Sequence, residues 1–142
     1  MMDILKSTAK EIADKIKTRE IKAEEVVGQC LKQIDKHNKD INAFISVSQT
    51  ALEQAKQIDS RIAKGESVGP LAGVPIGIKD MLCTKGLKTT AGSKILGNFI
   101  PPYSATVVER LESAGAITIG KCNQDEFAMG SSNESSFFGS VK

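Results

Sequence analysis

Gly69-Pro-Leu-Ala-Gly-Val-Pro-Ile-Gly-Ile-Lys-Asp80, running on through Met81-Leu-Cys-Thr-Lys-Gly-Leu-Lys-Thr-Thr-Ala-Gly-Ser93, is the stretch on which the fold turns. Val74 to Ile78 is apolar, rich in β-branched residues and broken by Pro75 and Gly77, which predicts a short buried strand rather than a helix. Pro75 has no N–H to give, so the strand begins there or lies at a sheet edge. The apolar run ends in Lys79, with Asp80 next to it. A lysine desolvated at the end of a buried strand is a better proton acceptor than one in water, and so a candidate base. The same pair also fits a surface lysine with a neighbouring counter-charge, and the residues alone leave both readings open.

Downstream of this stretch, residues 82–103 carry glycines, threonines and Pro101-Pro102 with little periodicity, which predicts a long connection of the kind that is functional or mobile. Ser104 is placed as the N-cap of a helix over 105–114, with Val107, Val108 and Leu111 as its apolar face. Gly115 ends that helix, and 116–120 reads as a buried strand, so strand, helix and strand form a parallel α/β unit. Gly115 to Cys122 nearly spells a phosphate-binding glycine loop ending in Lys121. Its middle residues are strand formers, though, and Cys122 stands where a hydroxyl would hold magnesium. Asn133-Glu-Ser135 fits a glycosylation acceptor only formally, since no secretory signal accompanies it. The polar, small-residue segment around Phe127 and Met129 reads by composition as a surface loop.

Upstream, helical spacing of Ile4, Leu5, Ile12 and Ile16 predicts a helix over 3–17, and Val26, Val27, Cys30, Leu31 and Ile34 predict another over 23–38. The second has Glu24 and Glu25 in its first turn and Lys36 and His37 in its last, as the helix dipole favours, with Asn38 as its end. Residues 41–47 alternate as a strand. A third helix over 50–64 buries Leu52, Ala55, Ile58 and Ile62 and stops at Gly65.

The 142 residues match one ordinary domain in length, and 40% hydrophobic content suffices for a core. Nineteen basic residues against 17 acidic ones leave a net charge of only +2, which gives no electrostatic pull toward nucleic acid or membrane. Cys30, Cys83 and Cys122 lie far apart without C-x-x-C spacing, so they read as reduced thiols near the core and not as a metal site. With no signal peptide and no apolar run of membrane length, the expected location is the cytoplasm, or an organelle after import.

The run Gly73-Val-Pro-Ile-Gly-Ile-Lys-Asp80, followed by Gly86-Leu-Lys-Thr-Thr-Ala-Gly-Ser93, resembles the lysine-bearing segment of the amidase signature family. The likeness continues at Tyr103-Ser-Ala-Thr-Val-Val-Glu-Arg-Leu111, Gly120-Lys-Cys-Asn123 and Asp125-Glu-Phe-Ala-Met-Gly-Ser-Ser-Asn-Glu-Ser-Ser136. The last run is most similar to the branch that serves tRNA-dependent glutamyl/aspartyl amidotransferases. The likeness is strong over 66–142 and weaker over the helical start.

The resemblance implies an α/β fold: N-terminal helices over 1–64, then over 65–142 the first α/β part of a helix-covered mixed sheet, incomplete at its C-terminal end. It implies a serine nucleophile, a bridging serine in a cis peptide, and Lys79 as base. Met129, Gly130 and Ser131 match positions whose backbone and hydroxyl face the bound amide. Gly130 is read as letting backbone approach the substrate. The family's glycine- and serine-rich segment, which carries both serines, is not reached before Lys142. The expectation is therefore an N-terminal portion holding one of three catalytic residues and inactive by itself.

For the whole enzyme the resemblance implies ammonia release from glutamine for transamidation of misacylated Glu-tRNA(Gln) or Asp-tRNA(Asn). The partners would be B and C subunits, glutamine, and tRNA bound through the complex. No cofactor is expected in the glutamine-hydrolysing component, and ATP and magnesium belong to the partner that activates the tRNA. The alternatives are a stand-alone amidase for small amides and a non-catalytic interaction fragment.

Overall fold

The computed structural model describes residues 4–142. After a 3-10 turn at Ile4–Lys6 come helices α1 (Ala9–Lys17) and α2 (Ala23–Ile41), strand β1 (Phe44–Val47) and helix α3 (Ala51–Ala63). Strand β2 (Pro75–Lys79), helix α4 (Thr106–Ser113) and strand β3 (Ile117–Cys122) follow, and a short 3-10 segment, Glu126–Ala128, comes last.

The predicted single helix over 3–17 is divided at Ser7 and Thr8. Thr8 and Glu11 form a reciprocal capping box, and such a box opens a helix rather than continuing one. Leu5, expected on the apolar face, is half exposed as a result. Helix α2 runs three residues past Asn38. Its end is Asn42, whose φ of 59° places it in the left-handed region. Asn38 instead pins the following strand, donating from Nδ2 to Phe44 O and accepting from Phe44 N at Oδ1.

No side chain at Lys22 caps α2. Asp59 of α3 does so from across the interface, accepting from Ala23 N at 2.8 Å and Glu24 N at 3.0 Å. In α3, Ala51, Ala55, Ile58 and Ile62 are buried as expected, but Leu52 is partly exposed.

The sheet has the order β1-β3-β2, with β1 antiparallel and β2 parallel to β3. The parallel β2-α4-β3 unit is the one the spacing predicts. Pro75 satisfies both readings of it at once, since it is the first residue of β2 and β2 is an edge of this sheet. Ser104 does not cap α4. The N-cap is Ala105, while Ser104 Oγ accepts from Lys85 N, and Val108 rather than Val107 turns inward.

Helices α2 and α3 pack on each other and cover the sheet, α3 against β3 and α2 against β2. One core holds Ile12, Ile16, Val26, Val27, Ala55, Ile58 and Ile62 from the helices together with Val74, Ile117 and Ile119 from the α/β unit. No helix among the described residues is long and apolar enough to cross a membrane.

Two glycines test this placement in opposite ways. Gly65 has φ +76° and open space around its missing Cβ, so Gly65→Ala meets only the left-handed penalty, about 1 kcal/mol. A Cβ at Gly69 would sit inside the backbone of Ala114, and Gly69→Ala is expected to cost about 3 kcal/mol through overpacking. Urea melts of the two variants should rank in that order; equal losses would contradict the seating of the 66–74 loop against the end of α4.

Candidate functional site

Strand β2 delivers two charged residues to opposite environments at its C-terminal end. Lys79 is exposed, whereas Asp80 is fully buried. The lysine that the fold buries is Lys121, one residue before Cys122, which pairs with Lys79 across the sheet. Strand alternation explains this: Lys121 registers with Ile78, so its side chain shares the covered face with Ile78 and Asp80 while Lys79 is left on the other. The desolvated position expected at Lys79 thus belongs to a different lysine. The signal for it in the sequence is the β-branched run Ile117-Thr-Ile119 leading into Lys121.

Lys121 Nζ donates to Leu82 O, to Thr84 Oγ1 at 3.1 Å and to Thr89 Oγ1 at 2.9 Å. Burial pushes its pKa below the ordinary lysine value, opposed by the nearby Asp80 carboxylate. Asp80 Oδ2 accepts from Thr90 N at 2.9 Å, from the Thr90 hydroxyl and from Gly92 N at 3.3 Å. Cys122 is held above the usual thiol range by burial.

On the open face, Lys79 lines a cavity of about 390 Å³ together with Asn123, Gln124, Asp125, Gly130 and Ser131. Of the residues matched by resemblance, the structure thus brings Lys79, Gly130 and Ser131 to one concavity. Met129 is not part of its wall and is 80% exposed.

The wall is a loop closed by side chains. Asp125 accepts from Asn133 N at 2.9 Å, from Ser135 N at 3.2 Å and from Ser135 Oγ at 2.9 Å, and these bonds hold its carboxyl below the ordinary range. Asn123 donates to Asn42 O and Gly139 O and accepts from Ser136 Oγ at 2.7 Å, tying both ends of the loop to the C-terminus of α2. Phe127 (φ 51°), Ala128 (φ 60°) and Asn133 (φ 63°) lie in the left-handed region, as does Ala91 (φ 51°), which accepts from Phe127 N. Sparsely populated backbone of this kind persists only where its surroundings over-determine it, and it concentrates at binding sites.

Gly130 is not reserved for a ligand alone. A Cβ there would lie 2.6 Å from both carboxylate oxygens of Asp125. Two further residues of this wall, Gln124 and Asn133, were given no part in the site by sequence pattern or resemblance. Among the described residues, the buried side-chain polar atoms without a hydrogen-bond partner are Asp80 Oδ1, both amide atoms of Gln124 and Asn133 Nδ2. Both Gln124 and Asn133 line the Lys79 cavity, and Asp80 follows Lys79 in the chain. Such orphan groups are uncommon in folded proteins, and their gathering here sets this region apart from the rest of the interior. Among the described residues no cluster of three or more histidine, cysteine or acidic side chains could hold a metal ion.

Residues 25–142 match the model of the Amidase family. The chain is 56% identical over 141 residues to the A-type subunit of the glutamyl-tRNA(Gln) amidotransferase of Bdellovibrio bacteriovorus, a match covering 99% of this chain and 29% of that protein. Among solved structures, the A-type subunit of the same amidotransferase from Thermotoga maritima superposes with a TM-score of 0.80 at 34% identity, covering 100% of this chain and 28% of that one. A fatty acid amide hydrolase superposes with a TM-score of 0.90 at 26% identity, over 98% of this chain and 25% of that one. The chain thus spans under a third of the length of the proteins it matches.

Two measurements check the loop. Asp125 has a folded pKa below its unfolded value, so its contribution to stability is fully present above the ordinary carboxylate pKa and is lost as pH falls through the folded one. Asp125→Asn should therefore flatten the acid limb of a stability-versus-pH curve, and an unchanged acid limb would remove Asp125 as its source. Gly130→Ala should lower stability, because the new methyl displaces a carboxylate held by three hydrogen bonds; a melt identical to wild type would contradict that contact.

Proposed function

We propose, for a chain that belongs to the amidase signature family, that it forms the lysine-bearing part of a glutamine amidohydrolase subunit. That component would release ammonia for transamidation of misacylated Glu-tRNA(Gln) or Asp-tRNA(Asn). The observation that carries the reading is the meeting of Lys79, Gly130 and Ser131 around one cavity at the open end of β2. Resemblance points to each of them, at positions some fifty residues apart.

In this reading Lys79 is the base of a serine–cis-serine–lysine relay. Its neutral amine takes a proton from the bridging serine, which in turn draws one from the nucleophilic serine as that oxygen attacks the glutamine side-chain amide. Both serines belong to the glycine- and serine-rich segment that residues 1–142 do not contain. Exposure of Lys79 in this chain is consistent with that division, since the groups that would enclose its amine are not among these residues. Gly130 and Ser131 would offer backbone and hydroxyl to the amide, and Met129 would act from the rim.

The Bdellovibrio bacteriovorus relative is one component of an amidotransferase, which supports partners for the whole protein. These would be B and C subunits, with tRNA, ATP and magnesium handled by the complex in the cytoplasm. A stand-alone amidase is the second reading, favoured by the superposition on a fatty acid amide hydrolase. Sequence identity favours the first: 56% to the amidotransferase relative against 26% to the hydrolase.

Within a chain of the relatives' full length, Lys79→Ala should abolish ammonia release from glutamine while the melt stays close to wild type. Lys79→Arg should fail as well, because a guanidinium does not give up its proton near neutral pH. Near-normal turnover by either variant would sink the assignment. Co-purification with B and C subunits separates the two readings, since a stand-alone amidase would be indifferent to them. The 142-residue chain by itself should hydrolyse no glutamine above a buffer blank.

A further inference from the structure

Lys121 is a buried cation that the proposed chemistry does not use. Lysines are seldom fully buried, and one that is must have its protons matched by acceptors. All three protons of this ammonium are matched, by Leu82 O, Thr84 Oγ1 and Thr89 Oγ1. None of these acceptors belongs to β3. All lie on the excursion that leaves β2 after Asp80, so the lysine fastens that excursion to the central strand.

Asp80 holds the far end of the same excursion. Its carboxylate takes the amides of Thr90 and Gly92 and the Thr90 hydroxyl, and its own carbonyl accepts from Ala91 N at 3.2 Å. Carbonyls of the turn thus fixed face the other way. Ala91 O accepts from Phe127 N and Gly92 O accepts from Phe137 N, both at 2.8 Å. Phe127 and Phe137 bracket the part of the cavity wall that runs from Ala128 to Asn133.

We propose that Lys121 is a positioning residue for the Lys79 cavity: with Asp80 it seats the 89–92 turn from which the cavity wall hangs. Lys121 and Asp80 share the covered face of the sheet, and the wall they position stands on the other. The functional weight of this proposal rests on the reading of the cavity as a catalytic pocket, while its structural content rests on the contacts alone.

The test uses the 142-residue chain and two readouts. One is residue-resolved amide hydrogen exchange; the other is the rate of Lys79 acetylation by an N-hydroxysuccinimide ester over a pH series, followed by peptide mass spectrometry. Lys121→Met should speed exchange at the Phe127 and Phe137 amides about tenfold or more, with the Val27 and Ala55 amides of α2 and α3 unchanged. It should also alter the Lys79 acetylation profile. Asp80→Asn should speed exchange at the same two amides, Phe127 and Phe137, because an amide oxygen is a weaker acceptor for Thr90 N and Gly92 N than a carboxylate.

Wild-type exchange at Phe127 and Phe137 would overturn the proposal. So would an equal rise at Val27 and Ala55, or wild-type rates in Asp80→Asn. Should Lys121→Met fail to fold, Thr84→Val and Thr89→Val decide, since each removes one acceptor and keeps the ammonium. A smaller rise confined to Phe127 and Phe137 is then expected, and wild-type rates would overturn it. Neither readout depends on glutamine hydrolysis, so a failure of Lys79 as base and a failure of Lys121 as positioner are seen separately.

Discussion

A carboxylate removed from water must be solvated by the protein, and the solvation of Asp80 shapes everything C-terminal to β2. Its oxygen gathers two backbone amides and a hydroxyl from residues 90–92, so the chain must return to the strand end it has just left. The residues from Met81 to Ala91 thereby form a closed excursion rather than a free loop, and Lys121 fills the interior of it. A long irregular segment can be ordered without helix or strand when its backbone groups are matched in this way. The 125–136 wall repeats the device at a smaller scale, with Asp125 as the acceptor.

Two faces of one strand end thus have different duties. The covered face holds the charges that organise the backbone, and the open face presents an amine to a concavity. Separating them leaves Lys79 on the cavity side while Lys121 and Asp80 fasten the segment that follows β2. The left-handed residues Ala91, Phe127, Ala128 and Asn133 serve the same end, since they turn the backbone sharply enough to enclose a cavity with few residues.

Elements with strong periodicity were legible in the sequence: the three N-terminal helices, the strand beginning at Pro75 and the parallel β2-α4-β3 unit. Those readings depend on local pattern, and local pattern is what the helices and strands obey. The meeting of Lys79, Gly130 and Ser131 at one cavity was expected mainly from resemblance: the apolar run before Lys79 is a local signal, but nothing in the spacing of the other two distinguishes them from a small-residue loop. The β-branched run before Lys121 signals a buried strand, but burial of Lys121 in place of Lys79 depends on which face of β3 the 82–89 excursion covers. The close fit of Gly130 against Asp125 escaped for the same reason: a glycine in a polar loop signals room without saying what fills it. Ser104 and Asn38 take roles other than the expected caps because capping residues and strand-pinning residues share one chemistry, and tertiary contacts choose between the two.

The cap that Asp59 places on α2 reaches beyond that helix. Ala23 and Asp59 are 36 positions apart in the chain, so the acceptor for the first free amide of the longest helix arrives from a different helix. Helix nucleation is costly, and a start without its own capping side chain is costlier still. The amides of Ala23 and Glu24 are therefore matched by Asp59 only where α3 is docked, which couples the start of α2 to the α2–α3 interface. The strand between them, β1, lies at the edge of β3, so the same helix pair that shares this cap also frames one side of the sheet.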